Sequence, residues 1–387
     1  MKSGDVTSAA EGIREPIGGS LERLRVAFDA RQPPRPSGVG LYTQELLDAL
    51  ARRPGLEITA IAAPSQPLPA GVARLSTDVP FDRHGPAQLF EHVHLPGLLQ
   101  ARGVALVHGP NSIIPLGRTA AARLVTIHDA AFARFPETLT PRFRLLMRVR
   151  TATALASADA VIAVSGFTAQ EIGSLFPRYA HKIVALPSGT PEVARRHVRD
   201  ARRAAGLLSS LGLEAGRYVC AIGTLEPRKN FLMLLEAFQQ ASAPDLKLAL
   251  VGDRGWRDGP LRLALRQMPR EAVVLTGWLP GEPMRDLIAE SAGLLYPSLY
   301  EGFGFPPLEA LALGVPAVCA DLPPIAESCQ GRASLLPPTD AGAWARALRR
   351  LPASPRPRPW VGRSFDEVAG ETEALYRRVL RWRGGRR

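Results

Sequence analysis

A chain of 387 residues is longer than one hydrophobic core usually serves, so two domains are the default. Hydrophobic residues at 46% and charged residues at 22% describe an ordinary globular protein, and no run of 18 apolar residues is present to cross a membrane. The net charge of +12 and pI near 10.4 call for an anionic partner such as a nucleotide, lipid headgroups or nucleic acid, against the plainer reading of a solvated arginine surface.

Met1 to Ser20 is polar and lacks an apolar run, so it reads as a disordered leader and not a signal peptide. Leu24 to Phe28 is a short strand with Asp29 at its end. A Pro-rich stretch from Arg31 to Pro36 leads to Ser37-Gly38-Val39-Gly40 and a helix carrying Leu41, Leu46, Leu47 and Leu50. Strands follow at Leu56–Ile61, Val104–His108 and Leu124–His128, the last running into Asp129. Pro141 to Ala156 is helical, Ala160–Val164 is a buried strand entering Ser165-Gly166, and Lys182–Leu186 closes this half before Ser188-Gly189.

Pro191 to Gly216 has several arginines and few large apolar groups, which places the interdomain region there. A second series follows: strands at Tyr218–Ile222, Leu246–Val251, Ala272–Thr276, Ala292–Pro297, Val315–Cys319 and Ala333–Leu336, with helices at Phe231–Phe238 and Pro283–Glu290. Leu351 to Pro359 is a Pro/Arg connector and Phe365 to Trp382 a last helix, near an arginine-rich tail that includes Arg386 and Arg387. Strands alternating with helices predict parallel sheets covered on both faces, hence two Rossmann-like domains facing a cleft. Cys220, Cys319 and Cys329 are odd in number and scattered, which favours neither a disulfide framework nor a metal knuckle and points to the cytosol.

Two segments carry chemistry. In Gly223-Thr-Leu-Glu226-Pro-Arg228-Lys229-Asn230, two cations lie between a strand and a helix start, where they oppose the helix dipole unless an anion joins them. A diphosphate is such an anion, with Glu226 pairing Arg228 when the site is empty. In Tyr300-Glu301-Gly302-Phe303-Gly304-Phe305-Pro-Pro-Leu-Glu309, two carboxylates flank a Gly loop that leads into a helix, with Glu309 placed in the first helical turn. His84, His92, His94 and His108 read as packing or surface residues, whereas His128-Asp129 at a strand end reads as functional. No Asp-x-Asp occurs, so no metal is assigned.

Together these segments resemble the family 4 retaining glycosyltransferases of GT-B fold. Gly38-Val-Gly-Leu-Tyr-Thr-Gln-Glu-Leu-Leu47, Thr126-Ile-His-Asp129 and Val164-Ser-Gly-Phe-Thr168 resemble the O-antigen-type mannosyltransferases within it. The likeness runs from about Arg25 to Tyr376. It implies an acceptor domain over 21–190, a nucleotide-sugar donor domain over 191–364, and a helix over 365–387 packing back on the first. The roles it implies are specific. Arg228 and Lys229 bind the donor diphosphate, Glu309 accepts both ribose hydroxyls, and Glu301 meets hydroxyls of the sugar. The N–H groups of Gly302, Phe303, Gly304 and Phe305 line that sugar. Gly38 and Gly40 approach the donor from across the cleft, Ser165 and Gly189 line the N-terminal side, His128 sits near the anomeric centre, and Leu279 with its neighbours offers backbone groups to the base. Ser188 and Thr168 depart from the commonest family residues.

The resemblance implies transfer of a hexose, with GDP-mannose the favoured donor, to a saccharide or lipid-linked acceptor in surface polysaccharide synthesis, without a cofactor. A front-face retaining reaction, in which the leaving diphosphate takes the acceptor proton, is favoured because no carboxylate is placed under the anomeric carbon. Pro141-Arg-Phe-Arg-Leu-Leu-Met-Arg-Val-Arg150, with four arginines and no acid, suggests peripheral contact at the inner face of the membrane as well as a plain solvated helix. The readings kept beside this one are a catalytically silent nucleotide-sugar-binding scaffold and another GT-B enzyme such as an epimerase. A nucleic-acid partner has no recognition motif to support it.

Overall fold

The computed structural model describes residues 23–33, 35, 37–79, 89–269 and 271–385. The leader, Pro34, Pro36, His84, Arg386 and Arg387 lie outside the described residues. Two parallel sheets organise the rest. The first has seven strands in the order β3-β2-β1-β4-β5-β6-β7: β1 Leu24–Asp29, β2 Leu56–Ala62, β3 Ala73–Ser76, β4 Leu106–Gly109, β5 Ala122–Ile127, β6 Ala160–Ala163 and β7 Ile183–Ala185. The second has six in the order β10-β9-β8-β11-β12-β13: β8 Tyr218–Ile222, β9 Lys247–Val251, β10 Val273–Gly277, β11 Gly293–Tyr296, β12 Ala317–Ala320 and β13 Ser334–Leu336.

The strands are parallel because each is joined to the next by a crossover segment, most of them helical, and their near-continuous apolar runs suit burial on both faces. In each sheet the order reverses at one place, between β1 and β4 and between β8 and β11. A crevice opens beyond the strand ends at such a switch point. The loops leaving β1, β8 and β11 carry Gly38, Arg228-Lys229 and Glu301, so the topology brings those segments to the two facing crevices.

Several elements differ from the sequence expectation. The segment from Pro191 to Gly216, read from sequence as the interdomain region, has helical structure of its own. It folds into a short helix Glu192–Arg195 and an amphipathic helix Ala201–Leu211, which buries Ala204 and Leu208 and ends at Gly212 in the left-handed region. Small apolar residues and isolated leucines suffice to seat a surface helix, so counting large groups undervalued it. Glu45, on the first helix Gly38–Ala51, accepts from the Glu192 and Val193 N–H groups and caps the short helix from across the chain.

The last helix, Phe365–Gly384, opens with a capping box in which Ser364 and Glu367 satisfy one another's backbone N–H groups. It lies against the first helix, with Arg52 on Asp366 at 2.7 Å and Arg53 on Glu373 at 2.8 Å. Beneath these exposed pairs is a buried polar chain. Tyr376 Oη lies 2.7 Å from His108 Nδ1, and His108 Nε2 lies 2.8 Å from Thr126 Oγ1. Burial pushes the pKa of His108 down to about 3, so the ring is neutral and acts as a hydrogen-bonded core residue, consistent with its packing reading. Tyr376→Phe leaves one ring nitrogen without its partner inside the core, and should cost about 1–3 kcal/mol of unfolding free energy. Urea denaturation checks this, and a midpoint equal to wild type contradicts it.

Candidate active site

Arg228 and Lys229 sit in a single 3-10 turn, Pro227–Lys229, ahead of the helix Phe231–Ala241. Asn230 holds the turn shut in the left-handed region, its Nδ2 donating to Pro297 O at 3.1 Å and Pro338 O at 2.8 Å. Those two carbonyls fix the turn against the loops that follow β11 and β13. Gly223 has φ 153°, and a Cβ there would lie 2.9 Å from Lys229 Cε, so the lysine stem lies across this glycine.

Glu301 lies between the cations, at 2.6 Å from Lys229 Nζ and 3.2 Å from Arg228. Arg228 also donates to Glu226 at 2.6 Å, the pairing anticipated from sequence, and to Tyr300 O at 2.9 Å. Lys229 donates to Tyr296 Oη at 3.1 Å and stands over that ring at 5.0 Å. Burial raises the Glu301 pKa, yet Lys229 and Arg228 outweigh it and hold the carboxyl at about 2. Burial, helped by the neighbouring Arg228 charge, pulls Lys229 down against the pull of Glu301. Glu226 goes up, chiefly by burial, and its Oε2 has no partner among the described residues. Two cations and two carboxylates therefore share one buried pocket with no net formal charge.

Glu309 belongs to the second turn of the helix Phe305–Ala312, not the first, because the helix begins at Phe305 behind Gly304 in the left-handed region. Pro306 and Pro307 follow, so Phe305 is the first-turn residue that retains an N–H. The anion-binding capacity of that helix start is correspondingly small. Burial pushes Glu309 up to about 7, eased by Arg285 and reinforced by Glu45, and its Oε1 has no partner among the described residues. A buried carboxylate with an unfilled oxygen is suited to accept hydroxyl donors from a ligand.

The N-terminal half meets this loop closely. A Cβ on Gly302 would lie 1.7 Å from His128 O, so only glycine permits the approach. The Gly302 carbonyl accepts from Ser165 Oγ at 2.6 Å and Thr168 Oγ1 at 3.2 Å. His128 Nε2 lies 2.7 Å from Pro110 O, and a carbonyl only accepts, so Nε2 carries the proton and Nδ1 remains an acceptor. Burial lowers the His128 pKa, which keeps the ring neutral beside Tyr42. Gly38 opens the first helix and faces Phe305, with a built Cβ 3.5 Å from the ring, while the Gly40 carbonyl accepts from Gln32 within the same half. Phe303 and Phe305 meet edge to face. Leu279 is half-buried after β10 and packs on the main core.

Gly189 lies against the last helix. A Cβ there would lie 2.8 Å from Phe365 N and from Ser364 C, so this glycine admits the start of the last helix. The sequence reading also missed Glu327, Tyr296 and Arg285. Glu327 contacts Gly166 across the cleft, and neither its spacing nor its neighbours in sequence signal that meeting. Among the described residues no group of three or more His, Cys, Asp or Glu side chains converges to hold a metal.

Two facing Rossmann-like units, with cations and carboxylates at the switch point of one and a glycine-led helix start at the other, define the GT-B architecture. The comparisons agree. Residues 36–192 match the family model Glycosyltransferase Family 4, and residues 216–354 match Glycosyl transferases group 1. The chain belongs to the glycosyltransferases that join these two domains. O-antigen chain mannosyltransferase B of Escherichia coli is 33% identical over 245 residues, which is 62% of this chain and 62% of that protein. The serotype-specific mannosyltransferase WbdA of Escherichia coli is 28% identical over 54% of this chain, a match that spans 27% of its own length. Among solved structures, WaaG, a glycosyltransferase involved in lipopolysaccharide biosynthesis, aligns with TM-score 0.65 at 16% identity over 89% of this chain and 94% of that one. Anabaena HepE in complex with UDP and glucose aligns with TM-score 0.64 at 17% identity over 91% and 99%. At these identities the structural likeness speaks for the fold.

The raised pKa of Glu309 has a testable consequence. The folded chain holds this proton more tightly than the unfolded one, so stability declines as pH rises from about 4.5 to about 7, by on the order of 3 kcal/mol. Glu309→Gln removes that penalty. It should raise the melting temperature at pH 8 relative to wild type and leave it little changed at pH 5. Differential scanning calorimetry at the two pH values checks this, and an equal shift at both contradicts it.

Proposed function

We propose that this protein transfers a hexose, mannose in the favoured case, from a nucleotide-diphosphate sugar to a saccharide or lipid-linked saccharide in surface polysaccharide synthesis. The observation that carries the reading is the buried Arg228-Lys229-Glu301 cluster, with Glu309 close by at the next helix, at the switch point of the second sheet. The choice of mannose leans on the O-antigen mannosyltransferase relatives, and GDP-mannose is the donor to try first.

In this reading Arg228 supplies a planar fork and Lys229 a point charge to the diphosphate, meeting its charge without a metal ion. Ionised Glu301 accepts from sugar hydroxyls, and Glu309 accepts from the ribose. The loop N–H groups of Gly302, Phe303 and Gly304 face the sugar. His128 offers Nδ1 as an acceptor near the anomeric centre, since Nε2–H is committed to Pro110. Retention follows from front-face attack. The C1–oxygen bond to the diphosphate breaks, the acceptor oxygen bonds to C1 on the same face, and the acceptor proton passes to the departing phosphate oxygen. Glu301, held at about 2 by two cations, is a poor proton acceptor, which favours its use as a gripping group.

The reading includes peripheral attachment to the inner face of the membrane through the helix Pro141–Ser157. Phe143, Leu145 and Val149 stand exposed on it, interleaved with exposed Arg142, Arg144 and Arg148, and the helix carries no acid. Apolar residues to enter the interface and cations to meet anionic headgroups are the two parts such a helix needs.

Turnover with GDP-, UDP-, dTDP- and ADP-sugars tests the main claim, and absence of hydrolysis or transfer with all four contradicts it. Lys229→Ala should weaken donor binding at least tenfold, whereas His128→Ala should mainly lower kcat. Equal losses of donor affinity from both substitutions would refute these roles. Co-flotation with vesicles containing anionic phospholipid at low salt tests attachment. Arg144→Glu/Arg148→Glu should abolish it, and no flotation of the wild type removes the membrane from the reading.

A further inference from the structure

We propose that Glu327 is a positioning residue that latches the two halves of the protein in their closed arrangement. Glu327 lies on the helix Pro323–Cys329 of the C-terminal half, and its two carboxylate oxygens accept from the Gly166 N–H at 3.0 and 3.1 Å. Gly166 is the first residue of the helix Gly166–Leu175 in the N-terminal half. The first N–H groups of a helix lack partners within it, and the dipole there favours a negative charge. Ser165 Oγ already serves the Thr168 N–H at 3.0 Å. The Gly166 N–H is capped by the opposite domain instead.

Position gives this bond its consequence. The same helix start clamps the Gly302 carbonyl through Ser165 and Thr168. On the other side, the helix bearing Glu327 supports the next residues of that loop. Ser328 Oγ donates to Phe303 O at 3.3 Å, and Ile325 Cδ1 lies 2.3 Å from where a Cβ on Gly304 would stand. The loop Gly302–Gly304 is therefore held between two helices from opposite halves, and Glu327 ties those helices together. The diphosphate-side groups Arg228, Lys229 and Glu309 all belong to the C-terminal half. Losing the latch leaves them intact and disturbs the arrangement in which both halves face the sugar. The kinetic part of this proposal rests on the transferase reading above, and the geometric part does not.

The partner N–H can be removed without losing the helix. Proline is well tolerated at the first helical position, and Ser165 already has the extended conformation that a following proline requires, with φ −159° and ψ 162°. A Cβ at Gly166 would meet Glu327 at an ordinary 3.5 Å. The experiment uses the full chain as Glu327→Ala, Glu327→Gln, Gly166→Pro and the double variant Glu327→Ala/Gly166→Pro. We expect each of Glu327→Ala and Gly166→Pro to lower kcat about tenfold. GDP affinity by titration calorimetry should stay within about twofold of wild type. Glu327→Gln keeps an accepting oxygen and should recover most of the rate. The double variant should be no slower than either single one, because both remove the same bond. Multiplying losses in the double variant, an unchanged kcat in Glu327→Ala, or a GDP affinity that falls with kcat would each overturn the latch. A wild-type chain inactive with every nucleotide sugar defeats the transferase reading instead. Small-angle scattering then decides the latch, which requires a larger radius of gyration in Glu327→Ala and Gly166→Pro than in wild type and is overturned by equal values.

Discussion

The site depends on a buried electrostatic constraint: Arg228 and Lys229 cannot remain charged inside the protein unless Glu226 and Glu301 stay with them. Removing ions from water costs several kcal/mol each, and pairing in the interior repays that only with close geometry. The contacts of 2.6 Å from Lys229 to Glu301 and from Arg228 to Glu226 supply it. The cluster is consequently rigid before any ligand arrives, which lowers the ordering cost of binding. It is also neutral before a ligand arrives. In the proposed transferase reading, an incoming diphosphate draws the cations partly away from their carboxylates and frees Glu301 for sugar hydroxyls, while burial shifts Glu226 upward.

Closure follows from the same economy of backbone space. Gly302 must be glycine because the His128 carbonyl lies where its Cβ would be, and Gly304 must be glycine because Ile325 fills the corresponding space and φ is 99°. These two positions let the donor loop pass between the halves with no side chain in the way. Ser165 and Thr168 then find a carbonyl to hold instead of a bulky neighbour. The Tyr300 hydroxyl extends this seam by accepting from Ala130 N–H at 3.0 Å. Arg35 adds a rim contact, reaching Asp253 at 2.7 Å, although with both groups well exposed it contributes little to stability.

Much of this was legible in the residues. The alternation of apolar runs with helical segments predicts two parallel α/β units, and both sheets are present. The strand-loop-helix settings of Arg228-Lys229 and of Glu301 place them at strand ends, where the topology puts both crevices. What escaped the sequence was of a different physical kind. Glu309 moved from the first helical turn to the second because the helix starts at Phe305, directly behind Gly304 in the left-handed region and one step earlier than the prolines suggest. The family resemblance gives Gly189 a place lining the N-terminal side, and its neighbour in the fold is the backbone of Ser364 and Phe365, some 175 residues away in sequence. Contacts of that range leave no local periodicity. Glu327 was invisible for the same reason: its partner is a helix start in the other half.

The division between the halves explains why the ionisable groups differ as they do. The C-terminal half holds its carboxylates apart in character, with Glu301 fully ionised by two adjacent cations and Glu309 left by burial to titrate near neutrality. Under the proposed roles, a group that grips a sugar at every pH needs the first environment. A group that accepts ribose hydroxyls only on binding can tolerate the second, because the hydroxyls themselves supply the hydrogen bonds that favour its ionised form. The N-terminal half brings fewer charges to the seam: Glu45, which reinforces the upward shift of Glu309, and Asp129, whose charge acts on Arg228. His128 is neutral, and Ser165, Thr168 and the Gly166 N–H are dipoles. Where those dipoles meet the loop carbonyl of Gly302 they add no formal charge, and the low-dielectric surroundings strengthen each hydrogen bond.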